Sequence, residues 1–162
     1  MGVASSGLNA ARAQRGHLNR GAPVFSLRRA NTTNITRAFV HYLSFYGNTR
    51  EAMTFYKICH GSGAKLTLQT FGEAHNGGHD GADRIIHARL SQGTMVLMAS
   101  DTMPGMPFVI GNNVWITQEC ESVEEIERLF AAFSGGGQIL MPLADQFWGA
   151  KFGMLVDKYG IN

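Results

Sequence analysis

Hydrophobic and polar positions change their period repeatedly along this chain, and each change marks an element. The stretch RAFVHYLSFYG (37–47) is rich in aromatic and β-branched residues and runs into Gly47-Asn48, which predicts a strand closed by a turn. In NTREAMTFYKICHGSG (48–63), Ala52, Phe55, Tyr56 and Cys59 recur at three- and four-residue spacing, the period of a helix. Asn48 is placed to cap that helix, with Glu51 completing a capping box and Gly61 and Gly63 stopping it. Three strands are predicted next, in AKLTLQTFG (64–72), RIIHARLSQ (84–92) and TMVLMASD (94–101), the last two joined at Gln92-Gly93. Asp101, at the end of the last, is read as capping the turn from Thr102 to Gly105.

The plan then recurs. NNVWITQEC (112–120) reads as a strand, and SVEEIERLFAAFSGGG (122–137) as a helix capped by Ser122 with Glu125 as box partner. Its apolar positions are Val123, Ile126, Leu129, Phe130 and Phe133. QILMPL (138–143) and AKFGMLVD (150–157) are further strands, and KYG is a turn. Strand, helix and then strands, twice over, is a duplicated βαβββ plan. The expected fold class is therefore α+β: two βαβββ modules, 37–111 and 112–162, forming a curved mixed sheet with a cup. The second module is expected to lack its last strand, since the turn at Gly160 leads only into Ile161 and Asn162. The concave side of such a sheet suits a small molecule and takes every second residue of each strand, but the pattern leaves open which parity points inward.

Composition refines this picture. The chain is 44% hydrophobic and 16% charged, as a folded domain requires. Its charge is uneven. Residues 1–36 hold five arginines and no acid, whereas 37–162 hold nine basic and twelve acidic residues. Nucleic acid is thereby excluded as a partner of the domain, because phosphate binding needs a basic face on the fold itself. No run of apolar residues is long enough to span a membrane. The extension 1–36 reads as a disordered basic leader, with the composition of a transit peptide; import into an organelle is expected if it acts as one, and a cytoplasmic location otherwise. Cys59 and Cys120 form neither a metal-type spacing nor a disulfide framework, so free thiols are expected.

YLSFYGNTREAMTFYK, ADRIIHARL, MASDTMPG and SGGGQILMPLADQFWGAKFGMLVDKYG occur in order between residues 42 and 160. Together they resemble the PhnB-like branch of the vicinal oxygen chelate superfamily, which includes glyoxalase I, extradiol dioxygenases and the bleomycin resistance proteins. The most specific piece is FWG-x-x-FG-x-x-x-DKYG, Phe147 to Gly160. The resemblance implies a small-molecule cup and a homodimer whose copies complete each other's cups. Metal-dependent members take His and Glu ligands from the first and last strands of each module. His41, fourteen residues before Phe55, falls where the first ligand would lie. TMVLMASD and VWIT offer no His or Glu, and the last position falls beyond Gly160. A divalent metal is thus the cofactor the resemblance brings in, yet His41 alone makes no complete set. Members of the branch also carry a demethylubiquinone methyltransferase description, but no glycine-rich loop here comes after a strand and opens a helix.

The remaining candidates rest on residue type and position. HNGGHD (75–80) puts His75 and His79 four apart, but across two glycines in a polar loop, which reads as a lid rather than a ligand pair. His87 sits mid-strand and is read either as a cup-lining acid or base or as a hydrogen-bonded structural residue. Trp115, Phe147, Trp148, Phe152 and Met154 are candidate ligand contacts, with Phe45, Met95, Leu97 and Phe108 completing an apolar pocket. The expected function is binding of a small, partly apolar molecule in the cup. A metal-dependent glyoxalase-type lyase or isomerase using His41 and His87 is the alternative, and a truncated inactive copy is a third reading.

Overall fold

The computed structural model describes residues 40–75 and 80–162, which leaves the basic extension and the middle of the expected lid loop outside the described residues. The elements in order are β1 (His41–Phe45), α1 (Thr49–His60), β2 (Lys65–Thr70), α2 (Phe71–His75), β3 (Ile85–Gln92), β4 (Met95–Asp101), α3 (Val123–Ser134), β5 (Gln138–Asp145) and β6 (Lys151–Val156). The architecture is α+β: a four-stranded mixed sheet in the order β1-β4-β3-β2 and a two-stranded sheet of β5 and β6. β1 runs parallel to β4, while the β2–β3, β3–β4 and β5–β6 pairs are antiparallel.

Burial alternates along the strands of the first sheet. Phe45, Ala88, Leu90 and Ala99 are buried, and they form one core with Ala52, Met53 and Tyr56 of α1. Leu43, Leu66, Leu68, Met95 and Leu97 pack against the same core. Placing Phe45, Met95 and Leu97 here takes them out of any ligand pocket; their period-two spacing puts them under the helix.

Three local features differ from the sequence expectation. Asn48 makes no side-chain capping bond to α1. The buried carboxylate of Asp101 caps it instead, accepting from Thr49 N at 3.0 Å, Thr49 Oγ1 at 2.7 Å and Gly47 N at 2.9 Å, while its other oxygen accepts from Ile85 N at 2.7 Å. Asp101 therefore holds the turn before α1, not the one after β4. Second, the end of the predicted second strand becomes α2: Thr70 and Glu73 exchange hydrogen bonds, Thr70 N to Glu73 Oε2 and Glu73 N to Thr70 Oγ1, as a capping box. Third, 112–120 forms no strand. A strand needs a paired neighbour, and among the described residues this segment has one backbone rung, Ile116 N to Asn162 O at 3.0 Å. In α3 Ser122 does cap as expected, accepting from Glu125 N.

The two halves meet helix against helix. Arg128 of α3 donates to the carbonyl of Cys59 in α1 at 2.6 Å. Phe55, Tyr56, Phe133 and Tyr159 form a ring cluster with centroids 5.7–6.1 Å apart. At its edge the Tyr56 hydroxyl donates to Asp157 Oδ2 at 2.6 Å. Asp157 Oδ1 accepts from Tyr159 N and Ile161 N, and Gly160 takes the positive φ of +81° that closes this turn. The DKYG signature is thus a joint between the halves. Both cysteines are free, and burial pushes the thiol pKa up in each. No helix among the described residues is long and apolar enough to cross a membrane.

Candidate functional site

The register decides what the first sheet shows on its other side. Cross-strand partners share a face, so Leu43, Ala99, Ala88 and Leu68 form one row under α1, and Leu97, Leu90 and Leu66 the next. The rows between them point the opposite way. One contains Tyr42, Met98, Arg89 and Thr67; the next on one side has Val96, Ser91 and Lys65, and on the other Ser44, Ser100, His87 and Gln69. All of these are half-buried or exposed. This open face is polar and hydroxyl-rich, with Met98 near its middle. Arg89 Nη1 donates to Ser91 Oγ at 3.1 Å.

His41 pairs with Leu97 and so belongs to the helix side, while His87 belongs to the open side. Within one chain no ion could be held by both. Among the described residues no group of three His, Cys, Asp or Glu is arranged to hold a metal. His75 closes α2, stacked on Phe71 with ring centroids 6.3 Å apart; Asn76 to His79 lie outside the described residues.

The second sheet has a covered and an open side too. A Cβ on Gly153 would lie 2.7 Å from Phe130 of α3, so that side of β6 faces the helix. Phe152 and Met154, its neighbours, point away, beside Ala144 and Met141 of β5. Phe147 and Trp148 stand at the tip of the β5–β6 hairpin, 97% and 53% exposed, with Trp148 edge-on to Phe152 at 6.0 Å. Trp115 lies in the segment 112–120, next to the Ile116 N to Asn162 O bond, and is 40% exposed. α1 and α3 pack together, α1 covering one side of the first sheet and α3 one side of the second, so each sheet keeps an open face on the side away from its own helix.

Shallow hollows in the surface lie elsewhere. One runs along the outer side of α1 between Arg50, Thr54, Phe55 and Lys158, where Lys158 Nζ sits 4.3 Å from the Phe55 ring centre. Another lies between Tyr46, Met106 and Phe108. Both are wide open, whereas the open sheet face gathers His87, Arg89, Ser91 and Met98 on one surface and is the candidate site. Arg89, Met98 and Tyr42 were not among the residues expected in the cup. The signal was present in RIIHARLSQ, whose polar residues His87, Arg89 and Ser91 alternate with Ala88 and Leu90.

A family model described as 3-demethylubiquinone-9 3-methyltransferase matches residues 37–162. Protein YjdN of Escherichia coli K12 is 31% identical over 133 residues, covering 74% of this chain and 88% of that protein. The crystal structure of protein PA1353 from Pseudomonas aeruginosa is similar at a TM-score of 0.70 and 39% identity, over 78% of this chain and 93% of the other. A PhnB protein from Bacillus cereus is similar at a TM-score of 0.57 and 29% identity, over 77% and 95%.

Proposed function

Because the chain belongs to the PhnB-like family, whose model carries the 3-demethylubiquinone-9 3-methyltransferase description, we propose that it is a vicinal-oxygen-chelate-type protein binding a small, partly apolar molecule in a sheet-lined cup, without a complete metal site. What carries this reading is the pair of open faces, one polar and centred on Arg89 and Met98, the other apolar and carrying Phe152 and Met154. A cup needs two walls, and in this reading the first sheet of one chain supplies only one of them. A homodimer supplies the missing wall by laying the second sheet of one copy over the first sheet of the other. In that arrangement His87 lines one wall, Phe152 and Met154 the other, and Phe147, Trp148 and Trp115 lie at the rim. His41, behind the first sheet, takes no part.

The family description names a methyl transfer, which needs a place for a methyl donor, and no glycine-rich loop opens a helix here to provide one. The test of the reading has two arms. Light scattering on the purified full chain is expected to give the mass of a dimer, and the neutral probe N-phenyl-1-naphthylamine to show saturable fluorescence enhancement that Met98→Lys and Met154→Lys each abolish. A monomer mass together with non-saturating fluorescence would remove the cup. Ni²⁺, Mn²⁺ and Zn²⁺ are expected to leave the melting temperature unchanged, where a tight ion in hundredfold excess over Kd would add about 2.7 kcal/mol. A shift that His41→Ala removes would replace this reading with the metal-dependent lyase.

A further inference from the structure

We propose that the molecule taken up by the open face of the first sheet is a small organic anion, its carboxylate or phosphate oxygens held by Arg89 with Ser91 beside it. The inference rests on the ligand-binding reading and adds the chemical class. Its first support is the state of Arg89. The side chain is half-buried on β3 between Thr67 and Met98, and its hydrogen bond goes to a neutral hydroxyl, Ser91 Oγ. Among the described residues the ion pair present is Lys151 with Glu127, so no carboxylate neutralises Arg89. A guanidinium has five N–H donors in a planar fork, and the bond to Ser91 uses one of them.

The other arginines and Lys158 near the core are accounted for. Arg84 lies 4.8 Å from the Tyr46 ring centre and donates to Thr102 O, Arg128 donates to Cys59 O, and Lys158 covers Phe55. The second support is the composition of the face. Lys65, His87 and Arg89 stand on it with no acidic residue, although residues 37–162 contain more acids than bases. Partial removal from water makes an uncompensated cation costly, and an oxyanion that accepts two N–H bonds from one guanidinium offsets that cost. Ser91 can donate to a remaining lone pair, and Met98 next to Arg89 gives an apolar bed for the rest of the molecule.

The experiment is an NMR titration of the full chain with benzoate, phenyl phosphate and neutral benzamide. The preferred anion is expected to bind about tenfold or more tighter than benzamide, as a charge-assisted pair of hydrogen bonds implies, and to move the Arg89 Nε–H and the amides of Arg89, Ser91 and Met98. Benzoate against phenyl phosphate tells a planar from a tetrahedral head group. Arg89→Gln should erase the preference for the anion and leave benzamide binding unchanged, while Arg50→Gln on the exposed side of α1 changes neither. Should Arg89→Gln not fold, the wild-type Arg89 Nε–H shift and the loss of anion affinity with added salt decide alone. Equal affinity for benzoate and benzamide, unaltered by Arg89→Gln, overturns the anion and leaves the cup. Dissociation of a dimer by Arg89→Gln, with binding otherwise intact, overturns it in favour of a carboxylate from the second copy. If none of the three compounds moves any resonance on this face, the cup itself falls with the anion.

Discussion

Asp101 accepts four hydrogen bonds and Asp157 three, so each of these buried carboxylates organises backbone and neighbouring hydroxyls rather than a ligand. Asp101→Ala strands the amides of Gly47, Thr49 and Ile85 and is expected to cost about 3 kcal/mol or more in urea denaturation, against about 1 kcal/mol for Thr49→Val. Tyr56 gives a pH prediction. Burial first, then its bond to Asp157, pushes its phenol pKa well above the ordinary tyrosine value. A group whose pKa is raised by folding contributes stability that is full below its unfolded pKa and is lost as pH climbs beyond it. Stability should therefore fall above pH ~10, the ordinary tyrosine range. Tyr56→Phe should flatten this alkaline slope and cost about 1–3 kcal/mol at neutral pH, because Asp157 Oδ2 loses its donor.

At the scale of elements, helix–sheet packing explains why Gly153 stands in the middle of a strand. A Cβ there would meet Phe130 at 2.7 Å and the backbone of Leu143 at 3.0 Å. Gly153→Ala is expected to cost about 1–3 kcal/mol through overpacking of α3 on β6, read from the denaturation midpoint. Most elements were legible in the sequence because their periods are local: α1, α3 and the strands from β2 to β6 all track apolar spacing. What was not legible depended on distant partners. The residue that caps α1 lies 52 positions away from Thr49, so Asn48 looked like the natural candidate. NNVWITQEC has the composition of a strand but too little beside it to pair with. The wall of the candidate site was half-legible: RIIHARLSQ shows the alternation, but only the packing of α1 says which parity is open.

For the whole molecule, the joint formed by α1, α3 and the DKYG turn sets what the chain can do. It joins the two halves through their helices and leaves each sheet with an open face. Phe147, 97% exposed on the hairpin tip, contributes little to the fold of one chain. Phe147→Ser should therefore change its unfolding free energy by no more than about 0.5 kcal/mol. If the tip lies at the rim of a two-chain cup, the same substitution should shift the light-scattering mass towards the monomer on dilution. A large loss of stability without change of mass would instead place Phe147 in the core.

The exposure of the hairpin tip and of Trp115 has a further consequence, which concerns optical measurement. The chain has two tryptophans, Trp115 and Trp148, both partly exposed and both in the second half. Indole emission from a monomer is thus expected to be red-shifted even in the native state, and nearly blind to the melting of the first sheet. A denaturation curve recorded at those wavelengths would report one half of the protein as though it were the whole. Circular dichroism on the same samples would expose the difference. Conversely, anything that covers the tip should turn the emission blue, giving the protein a built-in dye for whatever docks there.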